Sequence, residues 1–265
     1  MYTRFQLAKK YLHYYLTASN GKGHGIHSPF VFDFIKSVLN DKTVYPDYLP
    51  IEKRRKLLLN DSSVIAVEDF GAGSSVIKTN KRAVSAIAAS SLKPKKYAQL
   101  LYRMVKYYQP ANILELGTSF GITTAYLAAV NKTSKVITCE GSEAIASIAK
   151  QNFADLQLKN VQLTEGDFAK TLSPLLSSLR EINFAFIDGN HRKEPTLDYF
   201  NQLLKHATPA SILVFDDIHW SAEMEEAWAA IKEHPALTLT IDLFFVSIVF
   251  CNPDINHKQH FAIRF

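Results

Sequence analysis

Cysteine is nearly missing from this chain. Only Cys139 and Cys251 occur in 265 residues, each within an apolar, strand-like run, which excludes a disulfide framework and a thiolate zinc site and makes a reducing cytoplasm the expected location. Long hydrophobic runs are missing too. The best candidate, residues 243–251, is bounded by Asp242 and Asn252 and contains Ser247, well short of the ~18 apolar residues a spanning helix needs, so no membrane partner is expected. The first residues, MYTRFQLAKK, lack an apolar signal core and a small-residue cleavage site, which argues against secretion. There is no internal repeat, low-complexity tract or long Gly/Ser linker.

Charge of one sign dominates only slightly. The net charge is +5 and the isoelectric point about 9.0, yet the basic clusters Lys9-Lys10, 53–56 and 93–96 are short and fall at the surfaces or ends of expected helices. They read as solvated faces, and with no aromatic RNA-binding strand or CxxC knuckle nucleic acid is not an expected partner. An anionic acceptor stays open.

What the chain has is core material, 47% hydrophobic residues, and a clear change of organisation near residue 92. Residues 1–16 carry a helical apolar pattern (Phe5, Leu7, Ala8, Tyr11, Leu12, Tyr15). Ser28-Pro29 opens a second helix in N-cap and N1 order, burying Phe30, Val31, Phe34, Ile35 and Val38. Residues 45–60 suggest a third, with 52–56 as its wet face. The expected division is a helical, substrate-side cap over 1–92 and a core domain over 93–265.

The run ANILELGTSFGITTAYLA, residues 111–128, predicts a buried strand turning through glycines into a helix. Gly117 and Gly121 allow close backbone approach, and the helix start behind them offers unpaired N–H groups to a ligand. Further strands follow, and each ends in an acid. Residues 135–139 lead to Glu140, which follows Gly121 by 19 residues, near the ~20 at which a carboxylate meets ribose hydroxyls. Residues 161–164 lead to Glu165-Gly166-Asp167-Phe168, where a carboxylate beside an aromatic ring suits an adenine. Residues 182–187 end at Asp188, and 211–215 at Asp216-Asp217. Ligands of open parallel sheets bind at such carboxyl ends, so Glu115, Glu140, Asp167 and Asp188 should surround one crevice. Residues 237–243, 246–250 and 261–265 are apolar β-type runs, at least two of which should form an antiparallel hairpin.

The turn lacks the third glycine of a full G-x-G-x-x-G, which disfavours a dinucleotide's pyrophosphate and favours S-adenosylmethionine, a ligand without phosphate. Over residues 93–250 the chain resembles class I S-adenosylmethionine-dependent methyltransferases. Its Glu-Leu-Gly-Thr-Ser-Phe-Gly-Ile-Thr turn is similar to that of the catechol and caffeoyl-CoA O-methyltransferases. FIDGNH and VFDDIHW look closer to magnesium-dependent O-methyltransferases of antibiotic sugars. The resemblance implies an α/β fold, doubly wound, with a mostly parallel seven-stranded sheet, a C-terminal antiparallel hairpin and an N-terminal helical cap. It implies a cofactor site of Glu115, Gly117, Thr118, Ser119, Gly121, Thr123, Glu140, Gly166, Asp167, Phe168 and Asp188, with Glu140 on the ribose and Asp167 on the adenine. It also implies a Mg²⁺ site of Asp188, Asp216 and Asp217. His191 stands where the family's lysine base is expected, and an imidazole can accept a hydroxyl proton at neutral pH. The expected partners are a small hydroxylated acceptor and, as quaternary state, a homodimer.

Plainer readings stand beside these. Asp188, Asp216 and Asp217 can be helix caps or loop acids, His191 a solvated loop histidine, and Trp220 either a pocket wall beside His219 or packing. A second glycine turn, Glu68-Asp69-Phe70-Gly71-Ala72-Gly73-Ser74, lacks a strand-ending acid at the right spacing and reads as a structural or substrate-side loop. A non-catalytic module with the same fold, a metal-independent methyltransferase and, distantly, a nicotinamide oxidoreductase are the competing functions.

Overall fold

The computed structural model describes residues 1–68, 80–252, 254–255 and 257–265, so the glycine loop from Asp69 to Ser74 lies outside the described residues. The chain divides into two compact units, Met1–Lys42 with Leu176–Phe265, and Thr43–Leu175.

The first unit begins with helix α1 (Arg4–Thr17), started by a capping box in which the Thr3 side chain accepts from Gln6 N–H and the Gln6 side chain accepts from Thr3 N–H. Helix α2 (Pro29–Phe34) follows with Ser28 as N-cap and Pro29 in its first turn, then widens into a π-helical turn over Ile35–Leu39. Val31, Phe34, Ile35 and Val38 are buried, as the apolar spacing required.

The second unit contributes helix α3 (Tyr48–Leu59), the antiparallel ribbon β1 (Val64–Ala66) and β2 (Lys81–Ala83), and helices α4 (Val84–Ser91) and α5 (Lys95–Tyr108). A regular alternation then takes over: β3 (Asn112–Leu116), α6 (Ile122–Ala129), β4 (Lys135–Glu140), α7 (Glu143–Asp155), β5 (Val161–Glu165) and α8 (Phe168–Ser178), whose last residues pass into the other unit. Strands β3, β4 and β5 are neighbours in parallel register, with Leu116 opposite Cys139 and Glu140 opposite Glu165. Tyrosines knit the helices of this unit: Tyr102 donates to Asp47 and Tyr126 to Glu52, each at 2.7 Å. One surface expectation is corrected. Arg55, assigned to a wet face, is buried, because its Nε donates to Glu52 (2.9 Å) and its Nη1 to the Lys93 carbonyl (2.8 Å); Lys53 and Lys56 do face water.

The remainder of the first unit is β6 (Ile182–Ile187), α9 (Lys193–Leu204), β7 (Ala207–Asp216), α10 (Ala222–Glu233), β8 (Leu239–Asp242), β9 (Val246–Phe250) and β10 (Gln259–Ala262). Its strand order is β6-β7-β9-β8-β10. Parallel β6 and β7 are followed by the expected hairpin, in which β8 and β9 pair antiparallel with Leu239 opposite Phe250. Strand β10 is parallel to β8, and its end is stitched to the beginning of the chain: Ser19 N–H donates to the Ala262 carbonyl (2.8 Å) and Arg264 N–H to the Ser19 carbonyl (3.0 Å). The α/β class, the mostly parallel strands and the C-terminal hairpin are therefore those expected. Three strands in one sheet segment and five in the other give one more than the seven anticipated.

Candidate active site

The candidate cofactor turn is built by β3, its following loop and the end of β4. Strand β3 is apolar because it is buried along nearly its whole length, and at Gly117 the backbone swings to φ 102°, a left-handed value that favours glycine. Gly117 N–H and Thr118 N–H both donate to the Cys139 carbonyl (3.0 and 3.1 Å), so the loop is pinned against the tip of β4. Ser119 is also left-handed (φ 48°), an uncommon state for a residue with a side chain. It is held there by its N–H, which donates to Glu140 Oε2 (2.8 Å), while Glu140 Oε1 accepts from Ser142 N–H (3.1 Å). Burial raises the Glu140 carboxyl pKa above its ordinary value, against the opposing pull of these backbone donors.

Gly121 has a different reason to be glycine from the one spacing suggested. It is the N-cap of α6 at φ 75°, and a Cβ there would collide with the Phe153 ring of α7, so helix packing forbids a side chain. No side chain caps α6, which leaves its first N–H groups to a ligand or solvent. Thr123 is buried in the first turn of this helix. Gly166 N–H donates to the Glu140 carbonyl (2.9 Å), and Asp167 Oδ1 accepts from Ala169 N–H (3.0 Å) at the start of α8, beside half-buried Phe168.

Glu115 is fully enclosed. Its Oε2 accepts from the hydroxyls of Thr124 and Thr138, the latter at 2.6 Å, while Oε1 has no partner among the described residues. Burial pushes its pKa up to about 7, and the two threonine hydroxyls only partly offset that. An unpaired carboxylate oxygen inside the fold suits an ammonium donor such as the amino group of a methionine moiety.

In the other unit, ligand atoms of Asp188, His191 and Asp216 lie within 4.8 Å of one another. Asp188 follows β6, Asp216 ends β7 and is buried, and His191 Nε2 stands 3.6 Å from Asp188 Oδ1. Asp217 falls outside this group. Its backbone is left-handed (φ 51°), its N–H donates to the Phe245 carbonyl (3.1 Å), and its carbonyl accepts from Trp220 N–H (2.9 Å). Two carboxylates and an imidazole suit a divalent cation. The imidazole shifts the preference from Mg²⁺, which takes oxygen ligands, toward Mn²⁺ or Fe²⁺.

Sequence reasoning missed the role of His219. Its Nδ1 pairs with Glu225 and its Nε2 with Asp242, both at 2.9 Å, and its ring stacks on Phe244 at 4.8 Å. Burial works against its charge, but Asp242 and Glu225 together outweigh that and raise its pKa. Asp242 lies 23 residues downstream, so no local motif could have revealed the pairing.

Residues 114–218, which hold every group above except His219, Trp220, Glu225, Asp242, Phe244 and Phe245, match the family model of a methyltransferase domain. Over that stretch the chain is similar to methyltransferase domains. Among curated relatives, a catechol O-methyltransferase of Niastella koreensis is 32% identical over 145 residues, covering 53% of this chain and 63% of the relative. The chain thus spans less than two-thirds of that relative's length. The fold is shared with solved structures. An O-methyltransferase from Bacillus cereus, in complex with S-adenosylhomocysteine, superposes with a TM-score of 0.57 at 19% identity, over 83% of this chain and 97% of its own. The Podospora anserina methyltransferase PaMTH1, also bound to S-adenosylhomocysteine, gives 0.59 at 14% identity, over 84% and 96%. Among the described residues no helix is long and apolar enough to cross a membrane.

Proposed function

We propose that the protein is an O-methyltransferase that moves a methyl group from S-adenosylmethionine to a hydroxyl of a small acceptor, with help from a divalent cation. The observation that carries the catalytic reading is the clustering of Asp188, His191 and Asp216, which a purely cofactor-binding module would not need.

S-adenosylmethionine supplies an electrophilic methyl on a sulfonium centre. On the side of the chain, Glu140 is the ribose acceptor, its carboxylate already held in place by Ser119 and Ser142 N–H groups. Asp167, Gly166 and Phe168 take the adenine. Gly117, Thr118, Ser119, Gly121 and Thr123, with the buried Glu115, take the methionine end. Most of the rate comes from positioning and fixed charge.

A divalent cation supplies positive charge that favours proton loss from an acceptor hydroxyl. Asp188 and Asp216 would hold it through their carboxylates, with Asp217 as the residue that sequence resemblance adds. His191 takes the hydroxyl proton at Nε2. An imidazole spends the same lone pair whether it holds a metal or a proton, so His191 serves as base only while the carboxylates carry the ion.

Isothermal calorimetry with S-adenosylmethionine, with and without Mg²⁺ or Mn²⁺, followed by turnover of a panel of catechols, other phenols and sugars, tests the reading. Cofactor binding with metal-stimulated transfer to a hydroxyl is expected. Cofactor binding with no transfer under any metal would leave only the non-catalytic module, and absence of cofactor binding would remove both.

A further inference from the structure

Helix α1 is apolar on two opposite faces, and only one of them is used. Its inner face is docked: Tyr14 is buried, Tyr11 and Tyr14 pack on Phe244 with ring centroids at 5.1 and 5.3 Å, and Lys10 pairs with Glu225 at 2.9 Å. On the opposite side Phe5, Ala8, Leu12 and Leu16 follow one another at helical spacing and form a single stripe. All four are exposed, Phe5 to 80% and Leu16 to 72%. A scattered surface leucine needs no explanation, but four apolar side chains in register on one stripe do.

The borders of the stripe are basic. Arg4 and Lys9 are exposed beside it, and the Arg264 guanidinium lies 5.4 Å over the exposed Tyr15 ring at its far end. No aspartate or glutamate occurs before Asp33, while Arg4, Lys9, Lys10 and Lys22 all do. An apolar strip edged by cations, with no anion in the same segment, is complementary to a surface that is apolar below and anionic at its rim.

We propose that α1 docks the protein on anionic lipid bilayers, lying in the plane of the headgroups with Phe5, Leu12 and Leu16 inserted and Arg4 and Lys9 on lipid phosphates. A second copy of the chain is the weaker occupant on area grounds. A helix of 14 residues offers a strip about 21 Å long and roughly 10 Å wide, about a quarter of the ~800 Å² per partner of a standard interface. Lying on a surface is distinct from spanning it, so the lack of a long apolar run does not bear on this reading.

The test is co-flotation of the full chain with vesicles of phosphatidylcholine alone and of phosphatidylcholine with one part in three phosphatidylglycerol, beside sedimentation velocity without lipid. Neither readout needs turnover, so the result stands apart from the enzymatic assignment. Partition at least tenfold stronger on the anionic vesicles is expected, weakening as NaCl is raised. The triple variant Phe5→Ser/Leu12→Ser/Leu16→Ser should lose it. Arg4→Gln/Lys9→Gln, which leaves the apolar stripe and the docked face intact, should bind roughly twenty-fivefold more weakly, at about fivefold per cation. Circular dichroism and unchanged S-adenosylmethionine binding certify that the variants are folded. Equal binding to neutral and anionic vesicles, no flotation at all, or a dimer that the triple variant abolishes would each overturn the proposal.

Discussion

At Glu115, Oε1 has no hydrogen-bond partner among the described residues, and that fixes how the side chain answers to pH. Because its folded pKa is raised to about 7, the folded state holds a proton that the unfolded chain releases near its ordinary value. The cost of ionisation is absent below the unfolded value, grows as pH rises between the two, and is complete above the folded one. Measured from the ordinary carboxyl value of 4.5, this amounts to about 3 kcal/mol. Glu115→Gln should therefore be close to neutral in denaturant melts at pH 4 and stabilising at pH 8; an equal effect at both would show that the carboxyl is not buried as described. Glu140→Ala is expected to weaken S-adenosylmethionine binding ten- to a hundredfold in calorimetry, through loss of charge-assisted hydrogen bonds of ~1.5 to 3 kcal/mol and of the Ser119 anchor. Gly121→Ala should lower stability by about 2 kcal/mol in thermal melts, since Phe153 occupies the space and the backbone is left-handed. The acids at strand ends were readable because each closes a short apolar run. The reason for Gly121 was not, because Phe153 lies 32 residues further along the chain.

At the scale of elements, α1 is fastened through one polar hub. His219 bridges Glu225 and Asp242, Glu225 also accepts from Lys10 and Tyr2, and Tyr2 N–H donates to the Trp220 carbonyl (2.9 Å), so helix, loop and hairpin share a single charge network. With its pKa raised in the fold, His219 contributes stability that is fully present below the ordinary histidine value and is lost as pH climbs through the folded value. His219→Gln should consequently lower the melting temperature more at pH 5.5 than at pH 9, and limited proteolysis should then cut within α1 first. The helices themselves were legible from Ser28-Pro29 and from the spacing of Val31, Phe34 and Val38. What the pattern could not show is which polar groups tertiary structure turns inward. Arg55 is buried and His219 half-buried by partners distant in sequence, and a charged side chain on a helix or turn otherwise reads as wet.

At the scale of the molecule, the residues proposed to hold the methyl donor lie in the unit Thr43–Leu175 and the cluster of Asp188, His191 and Asp216 in the other. The two functions should separate by mutation: Asp216→Asn is expected to leave S-adenosylmethionine affinity within about twofold while abolishing transfer, measured by calorimetry and by methylated product. Equal loss of both would place the acid in the cofactor site instead. The stitching of Ser19 to Ala262 and Arg264 has a temporal meaning as well. A ribosome delivers the segment 43–175 as one uninterrupted stretch, free to organise while synthesis continues. The strand that pairs with residue 19 is made about 240 residues later, so a nascent chain must keep its opening helices waiting, apolar side chains uncovered, until that strand has emerged.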